Sequence, residues 1–244
     1  MKKRQDMKFV LLQYRKNVDV KKEELESFRK FSKLKKGQIQ VINLFDRPVF
    51  PLEKLKNYDG VFFGGTSETS VFKKDQKLET SINAIHFLIK HKIPTFASCF
   101  GFQLAVVAFG GEVLHQQENF EMGTYPIYHV TPSTKDPLIS CIDDPFYGVS
   151  VHKQKVVNLP KPFIGLARTK ECWHVIKVKD APFWGFQFHP EVDHKILSER
   201  LTKYAHLYTR DKDHLNEILS VIHPTDDANS LCKLFVDKLI LNKL

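Results

Sequence analysis

The pattern of apolar and polar positions divides the chain into two textures. In the first, short and continuous apolar runs alternate with stretches of helical periodicity. Residues 8–13 (KFVLLQ) form a run of strand length, and residues 20–34 follow with apolar positions at helical spacing. Residues 39–44 and 59–63 are further strand candidates, the second running straight into Gly64-Gly65-Thr66. Residues 78–91 read as a helix and, after Pro94, residues 95–97 as another strand. Uniformly apolar strands alternating with helices predict a parallel sheet covered on both faces.

From Gly111 the strand-like stretches become shorter, at residues 125–130, 155–157, 163–167, 172–178 and 185–188, which predicts mixed or antiparallel pairing at one sheet edge. After Glu191 the pattern is helical again, over residues 195–209, 214–222 and, beyond Pro224, 229–241. The expected fold class is α/β: a mixed, mainly parallel central sheet flanked by helices, with extra C-terminal helices. The expected organisation is one domain over residues 1–244, with a core at about 7–193 and a C-terminal helical layer at about 194–244.

Composition narrows this picture. With 42% hydrophobic and 27% charged residues the chain can bury a large core. No window holds 18 consecutive apolar residues, and the first eight residues (MKKRQDMK) precede only a short apolar run. These observations argue against a membrane span and a secretory signal, so the expected location is the cytoplasm. The net charge of +9 is concentrated near the start: residues 1–36 hold 13 basic and 5 acidic residues, a balance of +8. There the charges alternate with apolar residues along an amphipathic helix, so they read as a solvated helix face and no nucleic-acid partner is expected. Cys99, Cys141, Cys172 and Cys232 show no short CxxC spacing, so neither a zinc knuckle nor a disulfide framework is indicated.

The stretch PTFASCFGFQLAVVAFGG, residues 94–111, carries most of the chemistry. An apolar strand ends at Cys99, Gly101 follows, and an almost wholly apolar helix runs to Gly110-Gly111. A residue at such a strand–turn–helix junction is pushed out at the carboxyl end of the sheet, where open α/β sheets bind ligands. A cysteine there meets a helix N-terminus, whose free N–H groups favour thiolate; the plainer alternative is a small buried hydrophobe. A base is offered by GFQFHPE, residues 185–191: an apolar run ends at His189, Pro190 stops ladder pairing, and Glu191 lies two residues on. In extended geometry Glu191 would share a face with His189 and orient its imidazole.

Together with YDGVFFGG (58–65), ASCFGFQ (97–103), FEMG (120–123), His152 with Val156, and LPKPFIGLART (159–169), these residues reach a family. Over about residues 58–193 the sequence resembles the class I (triad) glutamine amidotransferases, most closely stand-alone proteins similar to the glutaminase half of GMP synthase. The resemblance implies a flavodoxin-like three-layer fold, a glutamine or γ-glutamyl substrate and a triad of Cys99, His189 and Glu191. It further implies an oxyanion hole from the backbone N–H groups of Gly65 and Phe100. Gly64, Gln103 and the backbone around Gly123 would hold the glutamine head group. The glutaminase would work either alone or with a separate synthetase subunit that takes the ammonia. No cofactor is implied, and no metal spacing such as HExxH surrounds His189 and His194.

Three departures stand out. Ala97 occupies the position where the family usually has glycine. His152 is followed by Lys153-Gln154-Lys155 in place of the His-x-Asp of related synthases, which bears on docking to a synthetase. The loop after Gly65 reads TSETSV, without the usual proline-glycine pair. Two other readings stay open: a γ-glutamyl peptidase using the same triad, and a catalytically silent binding or regulatory module.

Overall fold

A computed structural model describes residues 2–116, 120–203 and 211–241. Its centre is a nine-stranded sheet. The first texture of the sequence supplies β1 (Phe9–Gln13), β2 (Ile39–Asn43), β3 (Gly60–Phe63) and β4 (Thr95–Ser98), which pair in parallel. A separate ribbon pairs β5 (Leu114–His115) with β8 (Gln154–Lys155). The antiparallel neighbours of the main sheet are β6 (Glu121–His129), β7 (Phe146–His152), β9 (Phe163–Arg168) and β10 (Trp173–Val178). Between the two halves β11 (Phe183–Phe186) lies parallel to β4 on one side and antiparallel to β10 on the other. The resulting order is β2-β1-β3-β4-β11-β10-β9-β6-β7.

The central strands are apolar at most positions because both faces are covered, with Gln13 of β1 and Thr95 and Ser98 of β4 as buried polar positions. Val10, Leu12, Val61, Phe63 and Ala97 point into a core shared with α2 (Gln76–Lys90) and α3 (Phe100–Ala108). Their alternates Phe9, Leu11, Phe62 and Phe96 point the other way, against α1 (Val18–Ser32) and α6 (Asp226–Ile240). There Phe235 of α6 meets the rings of Phe62, Phe96 and Trp184 at centroid distances of 6.1, 5.5 and 6.3 Å. A third, smaller cluster joins Leu197 and Leu201 of α4 (His194–Lys203) and Ile218 of α5 (Lys212–Ser220) to Val149 and Val192.

The expected mixed, mainly parallel sheet with antiparallel edge is therefore the observed one. Two strands escaped the sequence pattern, β5 and β7. In β7, FYGVSVH, Gly148 and Ser150 are buried while Tyr147 and Val151 are only half-buried, so burial does not follow hydrophobicity there. The expected helix over 195–209 is observed up to Lys203, and residues 204–209 lie outside the described set. Among the described residues no helix is long and apolar enough to cross a membrane.

Candidate active site

Four parallel strands deliver residues to one place at their carboxyl ends. Arg15 follows β1, Gly64 and Gly65 follow β3, Cys99 follows β4, and His189 and Glu191 come after β11. This is the position at which open α/β sheets bind ligands.

Cys99 sits between β4 and α3 with φ 44° and ψ −92°, a conformation that L residues rarely adopt. The turn is held by the Cys99 N–H donating to the Phe186 carbonyl of β11 at 2.6 Å and by the Gln103 N–H donating back to the Cys99 carbonyl at 3.1 Å. Gly101 makes the turn possible, since a Cβ there would lie 2.4 Å from Phe63 Cβ and 3.1 Å from Ala97 Cβ. The side chain of Ala97, where glycine was expected, is accommodated because Gly101 has none. Cys99 is the residue preceding the first turn of α3, and its side chain makes no cap hydrogen bond to the N–H groups there.

His189 reaches the same spot from the other side. Its Nδ1 is 2.7 Å from Glu191 Oε1, and the second carboxylate oxygen of Glu191 accepts a bond from Ser98 Oγ, also at 2.7 Å. The Nδ1 contact leaves Nε2 for a second partner, and the Cys99 sulfur is near enough to favour the charged form of the imidazole. The His189 N–H is anchored on the Val149 carbonyl of β7 at 2.8 Å. The pair does not meet as an extended i, i+2 couple: β11 ends at Phe186, and Pro190 leads into a turn closed by Val192 N–H on the His189 carbonyl. The turn brings the Glu191 carboxylate back to the Nδ1 edge of the ring.

Burial alone would lower the His189 pKa, but the Cys99 sulfur first and the Glu191 carboxylate second outweigh it and raise it to about 10. Glu191, with the same contacts reversed, is held below the usual carboxylate range despite the cost of its burial.

The other expected residues divide. Gly65 packs edge-on against His189, whose Cε1 would stand 2.7 Å from a Cβ at that position. Gly64 lies against the buried Glu24 carboxylate, 2.8 Å from its own missing Cβ. Phe100 and Gln103 line the cleft over Cys99, and Gln103 Nε2 donates to Gln187 Oε1 at 3.4 Å. Gly123 sits on β6 opposite Ser150, with a positive φ of 137°, and is not among the residues lining the cleft, although Phe120, Val149 and Val151 around it are.

Three groups at the site were not singled out from the sequence. Ser98 supports Glu191, and Gln187 Nε2 lies 3.9 Å from Cys99 Sγ. Arg15, buried and paired with Glu24 at 3.0 Å, forms part of the cleft wall. The cleft has a volume of about 680 Å³ and is closed on one side by Leu197, Arg200 and Leu201 of α4. Arg200 Nε donates to Glu23 Oε1 of α1 at 2.7 Å, so an ion pair spans α4 and α1 beside the cavity. A second group with the donors to hold a metal, Glu121, His152, Cys172 and His174, lies to the antiparallel side.

The sequence model of the family described as glutamine amidotransferase class-I matches residues 28–208. The chain belongs to this family. Among its class-I relatives, the GMP synthase (glutamine-hydrolyzing) of Borrelia garinii subsp. bavariensis is 30% identical over 178 residues, covering 71% of this chain and 32% of that protein. A GMP synthase (glutamine-hydrolyzing) subunit from Methanocaldococcus jannaschii is 28% identical over 157 residues, covering 64% of this chain and 77% of its own length. The chain thus spans about a third of the length of the Borrelia GMP synthase. A glutamine amidotransferase from Thermotoga maritima has the same fold, with a TM-score of 0.74 over 96% of this chain and 98% of its own at 16% identity. The resemblance to class I amidotransferases close to GMP synthase is therefore borne out.

Proposed function

We propose that the chain hydrolyses the side-chain amide of glutamine through Cys99, His189 and Glu191. The observation that carries this reading is the contact chain Ser98–Glu191–His189 ending at a strained cysteine that opens a helix at the floor of a cleft. In the reaction, the Cys99 sulfur attacks the amide carbon while His189, whose raised pKa keeps the ring protonated at neutral pH, holds the proton. His189 then gives that proton to the departing nitrogen, ammonia leaves, and a glutamyl thioester remains. Water, deprotonated by His189, attacks the thioester carbon; glutamate is released and the thiol restored. Glu191 keeps the imidazole oriented with Nε2 toward the sulfur. The backbone N–H groups of Phe100 and Gly65 bind the oxyanion, each worth about 3–4 kcal/mol in comparable acyl-transfer sites. Gly64, Gln103 and the strand around Gly123 contact the glutamine head group.

Ammonia passes to a separate synthetase subunit. This is supported by the match to the Methanocaldococcus relative, which is itself one subunit of a GMP synthase and is covered over most of its length.

The test is glutamate release from L-glutamine by the purified chain, with γ-glutamyl dipeptides assayed in parallel to define the leaving group. The rate is expected to fall by about 10⁴-fold or more in Cys99→Ala. A glutamine-analogue diazoketone should leave a single adduct on Cys99 by mass spectrometry whether or not a partner is present. Absence of both turnover and adduct overturns the assignment.

A further inference from the structure

Glu121, His152, Cys172 and His174 lie far apart in the sequence and come together at the end of the antiparallel half of the sheet. Their donor atoms all lie within 4.8 Å of one another, and all four residues are buried. Glu121 opens β6 and His152 closes β7, directly opposite each other in the register. Cys172 immediately precedes β10 and His174 is its second residue, at an irregularity in the pairing with β9, and both side chains are buried.

The polar atoms in this cluster are close but not matched. Glu121 Oε2 is 3.1 Å from His152 Nε2 and 2.8 Å from His174 Nε2. Yet neither contact has the alignment of a hydrogen bond, and Glu121 Oε2, His152 Nε2 and both ring nitrogens of His174 have no partner that does. Buried polar groups are rarely left so, and here three side chains from three different strands converge with a cysteine within a span of 4.8 Å. The other carboxylate oxygen of Glu121 is held by Thr169 Oγ1 at 2.8 Å, which fixes the carboxylate and turns Oε2 inward.

We propose that these four residues form a closed, tetrahedral binding site for a zinc ion. One thiolate, two imidazoles and one carboxylate are the donors zinc takes, and four protein ligands with no open position mark a structural site. A tetrahedron with zinc–nitrogen and zinc–oxygen bonds of about 2.0–2.2 Å and a zinc–sulfur bond of about 2.3 Å has edges of roughly 3.3–3.7 Å; the Glu121 oxygen would move slightly away from the two imidazoles, now 2.8 and 3.1 Å from it, and the wider separations, up to 4.8 Å, would close. The charges balance: the Glu121 carboxylate and the Cys172 thiolate supply two negative charges, and binding releases the thiol proton to solvent.

The ion ties β6, β7 and β10 together behind the cleft. It also sits behind the segment that carries His189. The His174 carbonyl accepts the Gln187 N–H at 2.9 Å, its ring stacks on Phe188 at 6.2 Å, and His152 itself lines the cleft. The sequence showed His152 only as a family position. The spacing 121, 152, 172, 174 matches no short metal motif, because the ligands are gathered by strand pairing and not by a local loop.

The test uses the tag-free chain produced with zinc in the medium and dialysed. Elemental analysis is expected to find about one zinc per chain, and less than about a tenth of that in Cys172→Ser and in His174→Gln. Cobalt exchanged into the protein should give a thiolate-to-cobalt charge-transfer band that survives Cys99→Ser and disappears in Cys172→Ser. Removing zinc from the wild-type chain with a chelator should lower its melting temperature, and zinc alone should restore it, a readout independent of whether a variant folds. The proposal is overturned if the wild-type chain holds under about a tenth of an equivalent and zinc leaves its melting temperature unchanged. It is equally overturned if the cobalt band is lost in Cys99→Ser but kept in Cys172→Ser.

Discussion

Ser98, Glu191 and His189 form a line of contacts in which each group fixes the next. Ser98 takes one oxygen of Glu191 and His189 takes the other, so the carboxylate cannot turn without breaking a 2.7 Å contact. The carboxylate also favours the charged form of the imidazole, as does the sulfur. Replacing Glu191 by Gln removes that contribution and the acceptor that fixes the tautomer. The His189 pKa, raised to about 10, should therefore fall. The sign follows directly: imidazolium supplies the proton to departing ammonia, so activity is lost as pH rises through the His189 pKa. In Glu191→Gln the alkaline limb of the kcat/KM profile should move to lower pH, with a rate at the optimum down by about 10²-fold or more. An unmoved limb would show that Glu191 does not act through His189. Cys99, His189 and Glu191 were legible in the sequence because their chemistry sits in two contiguous stretches with turn residues beside them. Ser98, Gln187 and Arg15 were not: a serine before a cysteine, or a glutamine in an apolar strand, gains meaning only from a neighbour far along the chain.

At the scale of elements, the parallel half was legible because strands buried on both faces are apolar at most positions, and no helix so short competes with that pattern. The antiparallel half was less so. β7 hides behind Gly148 and Ser150, which are buried by close approach of other strands; a Cβ on Gly148 would lie 2.9 Å from Phe188 Cγ. The shape of the nucleophile turn depends likewise on one small residue. In Gly101→Ala the added methyl would stand 2.4 Å from Phe63 Cβ, so either α3 shifts off the sheet or β3 moves. Urea denaturation should show a loss of about 1–3 kcal/mol, typical of an overpacked core, with activity falling further than stability because Cys99 opens the displaced helix. Wild-type stability in this variant would mean that the turn has slack the distances do not suggest.

The whole molecule is a sheet with two unlike covers. One face is closed by helices from the first half of the chain, α2 and α3, and the other by α1 together with α6, from opposite ends of the sequence. Phe235 is the largest side chain that α6 buries there, against Phe62, Phe96 and Trp184 from three strands. Phe235→Ala should cost about 3–5 kcal/mol in thermal or chemical unfolding while leaving turnover below the transition nearly unchanged. Loss of turnover in the still-folded variant would show that the covering helix also shapes the cleft.

The position of β11 has a consequence for how the chain reaches this state. It is the last strand in sequence yet lies in the middle of the sheet, between β4 and β10, and it both accepts the Cys99 N–H and precedes His189. Until it docks, β4 is an unpaired parallel edge of four residues, Thr95 to Ser98, that the finished sheet buries completely, and such an edge is prone to pair with another chain. Closing that gap requires the whole of residues 99–182 to be looped out and ordered, so strand insertion should be a slow, late event in folding. The nucleophile and its base therefore come into being together, in the same step that seals the sheet. A ribosome-bound or truncated chain ending before residue 183 would carry Cys99 without its base and expose the edge most in need of a chaperone.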